Sequence, residues 1–371
     1  MVVMSGVTTF MLYPLLTLEL IRRGENVFHI GVILGLLSGV GQISATVIGR
    51  ANAKWGSKRL AVTGLIFRGA GLLVFAFHVE SAVYMAAATL ASIGSSATGL
   101  AIKTELMRSS TSRRTVTLRS MMVNIGAFIG PSIGGSLFLT NAFGNIIIAS
   151  LASYLLIAFL ICLIRFHEPE LTSVNEHIAT FRMIGDRSYI LLVIGVFSYW
   201  SLYALWPLVV PFIALRAFQT PVASTWLYTA NAGLIISFQY LLVVKLLSKL
   251  RSSQILATGF AILLFCFLPL VMSPGPVSVV LFITLFSVGE MLVSPTLDEV
   301  TTRISTNKHG LSQAFGLNAS VAGVALLIGA PIGGAIIALS QNTVGIVLFG
   351  IPLALTGILV AVLLGRQEMA L

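Results

Sequence analysis

The chain has 371 residues, of which 57% are hydrophobic and only 9% are charged, and its mean hydropathy is +1.00. Because soluble domains carry roughly one charged residue in four, this composition excludes a water-soluble protein and predicts an all-α integral membrane protein. The formal net charge of +10 could attract nucleic acid, but the placement of the cations assigns it to membrane topology, so no nucleic-acid partner is expected.

Polar breaks divide the sequence into twelve apolar runs, and a membrane-spanning helix needs roughly 20 such residues. We therefore predict twelve transmembrane helices. The first has no basic segment before it and no small-residue cleavage site, so we expect a retained helix and not a signal peptide. In chain order the runs are Val2–Ile21, His29–Gly49, Leu60–Phe77, Ala82–Ile102, Met121–Leu139, Ile146–Ile164, Tyr189–Ala214, Thr225–Leu247, Ile255–Val271, Val277–Leu297, Ala314–Leu339 and Gly345–Leu364.

The basic residues lie almost entirely in alternate breaks. Eighteen of the 22 Lys and Arg residues follow even-numbered runs, whereas the other side holds Arg22, Arg23 and Arg216, and Arg68 lies inside the third run. Positive residues stay in the cytoplasm, so both termini are expected there and the number of spans should be even.

The two halves of the sequence repeat each other. A shift of 195 residues places Thr89–Gly94 on Thr284–Gly289, and the longest polar stretch lies between the halves. We predict an N-terminal six-helix bundle at 1–164, a cytoplasmic linker at 165–188 and a C-terminal six-helix bundle at 189–371. Parallel repeats of this kind are typical of secondary transporters, which bind substrate at the repeat interface.

The loop after the second run carries Gly49, Lys54, Gly56 and Lys58. Their spacing resembles the cytoplasmic signature of the major facilitator superfamily. The resemblance implies a gating role, in which an acid of the signature pairs with basic groups and latches the inward-closed state. That position is Ala53 here, so the resemblance does not carry the latch over to this chain.

The fifth run carries Gly126, Gly130, Pro131, Gly134 and Gly135. The pattern looks like the core of a motif found in drug:proton antiporters of the same superfamily. Glycine every fourth residue lets helices approach closely in lipid, and proline permits a bend. These residues are candidates for a hinge or sliding seam, and the alternative is a static packing face.

The tenth run contains Glu290, an acid well inside a predicted span. An ionised carboxyl at the bilayer centre costs about 2.5–3.5 kcal/mol, so such a group faces water or is neutral. A carboxyl that is ionised when wetted and neutral when occluded can carry a proton. Glu290 is therefore a candidate for proton coupling or cation recognition, the alternative being a structural hydrogen bond.

The seventh run places Tyr199, Tyr203 and Trp206 on one helical face, and Tyr13 has a roughly equivalent place in the first run. An aromatic wall can bind lipophilic or cationic compounds, although ordinary packing gives the same pattern. Asn231 in the eighth run is either a helix–helix contact or a ligand contact. The residues of the seventh, eighth and tenth runs together look like the second half of bacterial multidrug-efflux members of the superfamily.

Two further charged residues fall within predicted spans. Glu19 lies in the last turn of the first span, followed by two arginines, and is either an interfacial charge or part of the external mouth. Arg68 lies near the middle of the third span. We expect it to snorkel or to pair with an acid, with a role at the cavity as the alternative.

The resemblance implies the major facilitator fold, with twelve transmembrane helices in two six-helix repeats. It also implies a monomer in the cytoplasmic membrane of a bacterium or archaeon. The sequence has no metal-ligand spacing, P-loop or nucleophile–base motif, so we expect no metal, no cofactor, no catalytic residue and no enzyme activity.

The favoured function is proton-coupled efflux of amphipathic or lipophilic small molecules by alternating access. Its partners would be the small-molecule substrate, a proton or other coupling ion, and the lipid bilayer. An importer of a small nutrient or metabolite with the same fold is the first alternative. A membrane-embedded enzyme or a non-transporting receptor is the second.

Overall fold

The computed structural model describes residues 1–109, 113–138, 143–166, 186–242, 247, 249–272, 275–308, 311–340 and 344–369. Residues 167–185 of the predicted linker lie outside this set. The regular elements of the described residues are helices. In chain order they are α1 (Val2–Arg22), α2 (Val27–Ile43), α3 (Ala45–Trp55), α4 (Ser57–Val74), α5 (Ser81–Ser109), α6 (Arg113–Phe138), α7 (Phe143–Leu163), α8 (Arg187–Tyr203), α9 (Trp206–Phe218), α10 (Ala223–Tyr240), α11 (Ser252–Phe265), α12 (Leu268–Met272), α13 (Pro276–Lys308), α14 (Leu311–Ser340) and α15 (Val344–Met369).

Local sequence sets several of these boundaries. The Asn26 side chain accepts a hydrogen bond from the Phe28 backbone N–H at 2.8 Å, which caps the start of α2. The Asp186 carboxylate does the same for Ser188 at the start of α8, at 2.9 Å. Gly56 separates α3 from α4 with a φ of 80°, a conformation that glycine adopts without the steric penalty of a side chain.

Eight helical stretches of the described residues are long and apolar enough to cross a bilayer, and the bent pair α2–α3, with a 48° kink, would make a ninth. The all-helical, multi-span architecture is therefore confirmed, whereas the count of twelve spans stays a prediction. Helix α4 illustrates the difference. Its 18 residues, Ser57–Val74, overlap the third predicted run, Leu60–Phe77, but include Lys58, Arg59 and Arg68, which make the helix less apolar than a typical span.

The outer surface of the helices is largely apolar. Large hydrophobic side chains are exposed along several of them, including Leu155 on α7, Val277 on α13 and Leu359 on α15. Leu155 is 73% exposed although it lies in the middle of a helix with no acidic or basic residue. Such a surface requires lipid around it, as expected for a membrane protein.

By position in the chain, on either side of residues 167–185, the helices form a first helix group, α1–α7, and a second helix group, α8–α15. Within the first group α1 packs on α6 and α4 on α5, and within the second α11 packs on α13 and α15. The groups meet where α2 lies against α14, α6 against α10, and α1 against α9. The predicted division into two six-helix bundles is not tested by these contacts and remains a proposal.

One end of the interface between the groups is closed by direct hydrogen bonds. Thr17 Oγ1 donates to the Pro207 carbonyl at 2.7 Å, and Ser224 Oγ donates to the Pro14 carbonyl at 3.3 Å. Thr17 and Ser224 are fully buried. We call this the sealed end.

Candidate functional site

A cavity of about 310 Å³ lies between the two helix groups. It is large enough for a small organic molecule. Helices α1, α2 and α5 of the first group supply one wall, and α8, α9, α10 and α14 of the second group supply the other. The lining residues are Thr9, Phe10, Tyr13, Leu37, Ser38, Gly41, Gln42, Ser92, Ser95, Ser96, Trp200, Tyr203, Trp206, Pro207, Tyr228 and Leu326.

The wall from the second group is aromatic. Trp200 and Tyr203 pack edge to face at 5.3 Å between ring centroids, and Trp206 and Tyr228 do so at 5.6 Å. The helix is interrupted after Tyr203, and Trp206 begins the next helix, α9, which continues the aromatic wall. Edge-to-face pairs fix ring orientation, and this wall therefore presents a rigid apolar surface to a ligand.

The wall from the first group is rich in hydroxyls. Tyr13 Oη and Ser38 Oγ form a hydrogen bond of 3.1 Å, and Ser92 Oγ accepts the Gly41 backbone N–H at 2.9 Å. Gln42, Ser95 and Ser96 complete it. No Asp, Glu, Lys, Arg or His belongs to the cavity lining among the described residues. The cavity can therefore offer hydrogen bonds and aromatic contact without a charged group on its surface.

Tyr228 adds an unusual group to the aromatic wall. The residue is 5% exposed, and its hydroxyl has no hydrogen-bond partner in the part of the chain that the structure describes. A buried hydroxyl without a partner is unfavourable, because burial removes its hydrogen bonds to water and no protein group replaces them. Tyr228 Oη is thus available to a polar atom of a bound molecule.

Glu290 lies on α13, behind the aromatic wall. Its Oε2 accepts a hydrogen bond of 3.1 Å from Asn231 Nδ2, which also donates to Ser287 Oγ at 2.9 Å. Tyr199 and Tyr203 lie close enough to interact with Glu290 electrostatically. No basic residue of the described chain forms a salt bridge with this carboxyl group. The structure thus joins two predicted site residues, Glu290 and Asn231, outside the cavity lining.

Arg68 lies on α4 on the far side of the hydroxyl wall. It is 6% exposed, and it donates to Thr9 Oγ1 at 2.5 Å and to Ser5 Oγ at 3.3 Å. Its guanidinium carbon lies 4.9 Å from the centroid of the Tyr154 ring. Because Thr9 lines the cavity, Arg68 is separated from that space by one side chain.

Glu19 lies near the sealed end, away from the cavity lining. Its carboxylate oxygens contact Arg23 Nε at 2.7 Å and Arg22 at 2.8 Å. Arg23 also donates to Tyr84 Oη and to the Phe77 carbonyl. These contacts join the end of α1 to the region around the start of α5, so Glu19 is well placed for a structural role.

Of the predicted aromatic residues, the structure places Tyr13, Tyr203 and Trp206 in the cavity lining. Tyr199 is buried instead, with its ring centroid 5.5 Å from that of Trp200 and 6.1 Å from that of Tyr203. It supports the wall without lining it. Trp200, the next residue along α8, lines the cavity in its place.

The glycine motif of α6 packs mainly inside the first group. A Cβ atom on Gly126 would lie 2.7 Å from Gly6 of α1, and one on Gly130 would lie 2.6 Å from the Val7 carbonyl oxygen. Gly134 likewise faces α1, and Pro131 lies within the helix. Gly135 alone of the motif glycines faces the second group, 2.6 Å from Thr225 Oγ1 when given a Cβ.

The loop signature also makes contacts inside the first group. Lys58 Nζ donates to the carbonyls of Cys162, at 2.9 Å, and Ile164, at 3.3 Å, near the end of α7. Gly49 and Lys54 lie on α3, and Gly56 lies between α3 and α4. Lys58 thus neutralises orphan carbonyls at a helix C-terminus. The gating role of the signature stays a prediction.

A second glycine seam was not predicted to be functional. A Cβ atom on Gly39 of α2 would lie 2.5 Å from the Gly323 carbonyl oxygen of α14, and one on Gly323 would lie 2.8 Å from the Gly39 carbonyl oxygen. Gly31 and Gly35 continue the seam along α2. Their spacing of four residues was visible in the sequence, but the partner helix was not.

Comparison with known proteins gives a family and a fold. The model of the Major Facilitator Superfamily matches residues 1–310. The chain is similar to the multidrug resistance protein MdtH of Yersinia pestis and of Yersinia pseudotuberculosis, with 25% identity over 313 residues, which cover 81% of this chain and 76% of each relative.

Two solved transporters share the architecture. A mutant of the peptide transporter POT in complex with sulfate aligns with a TM-score of 0.79 and 14% identity, covering 100% of this chain and 93% of the other. A POT family transporter in complex with a thioalcohol-conjugated peptide aligns with a TM-score of 0.77 and 15% identity, covering 100% and 94%. At these identities the likeness concerns the fold.

Proposed function

Because the chain belongs to the major facilitator superfamily, it is a membrane transporter, and we propose that it exports amphipathic or lipophilic small molecules in exchange for protons. The observation that carries the proposal is the cavity between the two helix groups, which has an aromatic wall, a hydroxyl-rich wall and no charged lining residue among those described. Such a site suits compounds with a flat apolar face and a few polar atoms.

The similarity to multidrug resistance proteins supports the direction of transport. The relatives that match over most of their length carry that name, and the lining gives no cluster of charges for a sugar phosphate or other strongly charged nutrient. An importer with the same fold is the alternative, and the peptide transporters described above share that fold. Their identity of about one residue in seven carries the fold only.

Glu290 is the proposed coupling group. It is an acid without a basic partner in the described residues, and Asn231 holds it beside the aromatic wall. Protonation removes its charge, and reopening of the site to water restores it. Movement of one charge down a membrane potential of 100 mV supplies about 2.3 kcal/mol, enough to sustain roughly a 50-fold substrate gradient.

The proposed orientation has both termini in the cytoplasm of a bacterial or archaeal cell, with six helices in each half of the chain. The alternation of basic loops supports it. In that orientation α1 runs outward, so the sealed end around Thr17 and Pro207 faces the exterior. The conformation described here would then be the one that accepts substrate from the cytoplasmic side or from the inner leaflet.

Everted membrane vesicles provide the test. A fluorescent lipophilic cation should accumulate in vesicles that contain the protein when respiration acidifies their interior, and a protonophore should abolish the accumulation. The Glu290→Gln variant keeps the hydrogen bond to Asn231 but cannot ionise, so it should lose uphill transport.

The matched control is Glu299→Gln, which changes an exposed acid on the same helix that pairs with Arg303 at 2.8 Å. This variant should accumulate the dye as the parent protein does. Uphill transport by Glu290→Gln would remove the coupling role, and accumulation only in right-side-out vesicles would favour the importer.

A further inference from the structure

Arg68 is a buried cation that no acid among the described residues neutralises. Within that part of the chain its side chain contacts neutral groups: the hydroxyls of Ser5 and Thr9 and the ring of Tyr154. None of the salt bridges within the described part of the chain involves it. Neutral hydroxyls and a ring offset only part of the free energy lost when a charge is removed from water. A nearby anion would offset more of it.

An unused donor lies beside this cation. Tyr154 is 3% exposed, and its hydroxyl has no hydrogen-bond partner among the described residues. Its ring lies against the guanidinium group, with 4.9 Å between the Arg68 Cζ atom and the ring centroid, so the hydroxyl-bearing ring and the cation are direct neighbours. Both groups also lie within electrostatic reach of Tyr13, which lines the cavity. A guanidinium group and a free O–H together form a donor set for an anionic oxygen.

We propose that Arg68 and Tyr154 form a subsite for a carboxylate of the transported molecule. This inference deepens the proposed export function and rests on it. The guanidinium plane matches the two oxygens of a carboxylate, and the Tyr154 hydroxyl donates to one of them. Thr9 separates Arg68 from the cavity, and its hydroxyl gives up the Arg68 hydrogen bond when the carboxylate enters.

The rest of the cavity extends the same chemistry. An aromatic frame attached to the carboxylate would lie against Trp200 and Trp206, on the opposite wall. Glu290 lies behind that wall with the opposite charge to Arg68. The substrate class is therefore an amphipathic aromatic carboxylate, and an amine at its other end would complement the acidic side.

The test uses a matched pair of probes. A rhodamine dye with a free carboxylate and the same dye as its methyl ester differ at one group, and binding to the purified protein is followed by fluorescence anisotropy. We expect Arg68→Met to weaken binding of the acid by about ten- to a hundredfold, because a charge-assisted hydrogen bond is lost, and to leave the ester nearly unaffected. Arg68→Lys should restore part of the loss.

Tyr154→Phe is the sharper variant because the hydroxyl it removes has no hydrogen-bond partner within the described residues. The melting temperature in detergent should therefore stay the same or rise, while affinity for the acid falls by about fivefold. If Arg68 and Tyr154 had only a structural role, their substitution would change the affinities for the acid and the ester equally. If Arg68→Met does not fold, as judged by loss of ester binding, Tyr154→Phe still decides the question.

The outcomes separate the two proposals. Selective loss of acid binding supports the subsite, whereas equal losses for both dyes in folded variants overturn it. If the parent protein transports the ester, and the Arg68 and Tyr154 variants bind the acid as the parent does, the subsite proposal is wrong and the export function is retained. Failure of the parent protein to bind or move either dye removes both.

Discussion

The seam between α2 and α14 makes a quantitative prediction about conformation. Gly39 and Gly323 face each other across the two helix groups, and a Cβ atom on Gly39 would lie 2.5 Å from the Gly323 carbonyl oxygen. The same atom would lie 3.1 Å from the Leu327 backbone nitrogen. Because a normal non-bonded contact is roughly 3.5 Å, Gly39→Ala must push the two helices apart by about 1 Å.

The cost of that displacement falls on the conformation in which the seam is closed. Overpacking of a well-packed contact typically costs about 1–3 kcal/mol. If the transporter opens at the sealed end by separating α2 from α14 at this seam, the open conformation relieves the strain. The population of the open state should then rise by about five- to 150-fold, since 1.4 kcal/mol corresponds to a factor of ten.

The assay reads the accessibility of the sealed end. Ser224 is fully buried there, and a cysteine in its place reports opening through its rate of reaction with a membrane-impermeant maleimide. The reporter requires a background without the native Cys162 and Cys266, of which the first is exposed. We expect Gly39→Ala to increase the labelling rate about five- to 150-fold, in proportion to the population of the open state.

Two controls isolate the seam. Gly99→Ala places a methyl group where no other atom lies within 4 Å, so it should leave labelling unchanged. Gly126→Ala crowds α6 against Gly6 inside the first group, so it should lower the melting temperature without opening the sealed end. Equal labelling rates for Gly39→Ala and Gly99→Ala would refute the reasoning that the seam is a gate.

Three further predictions concern polar contacts. Asn231→Leu removes the hydrogen bond to Glu290, so we expect the pH at which vesicle transport is half-maximal to shift from its parent value, as a pH series of dye uptake would show. Lys58→Met removes two hydrogen bonds to carbonyls at the end of α7, and the free energy of unfolding in detergent should fall by about 1–2 kcal/mol. Lys103→Glu should slow dye transport by repelling Asp298, and Asp298→Lys in the same chain should restore the rate, whereas an unrestored double variant would argue against the pairing.

Much of the fold could be predicted because it depends on local composition. Long apolar helices and their loops follow from runs of residues, and the assignment to the superfamily rested on short motifs and is confirmed. The predicted start of the fourth run at Ala82 lies one residue from the start of α5. Gly126 and Gly130 predicted a close helix contact, but only the structure shows that their partner is α1 of the same group.

The site was less predictable because its members meet only in three dimensions. The aromatic periodicity located Tyr203 and Trp206, whereas Ser92 and Ser96 gave no signal, since serine is common in membrane helices. Tyr154 could not have been identified at all. Its importance comes from an unsatisfied hydroxyl next to a buried cation, which is a property of packing and not of sequence spacing.

The sequence repeat gives a reason for the pair formed by Lys103 and Asp298. The two positions are separated by 195 residues, the same shift that aligns Thr89–Gly94 with Thr284–Gly289, so in the proposed repeat they are equivalent positions. Equivalent positions meet where they lie near the axis that relates the repeats, and two like charges would repel there. This chain carries opposite charges, and Asp298 interacts electrostatically with Lys103. Both lie at the ends of α5 and α13 remote from the sealed end, so their attraction favours closure of the side where the loop signature has Ala53 in place of its acid.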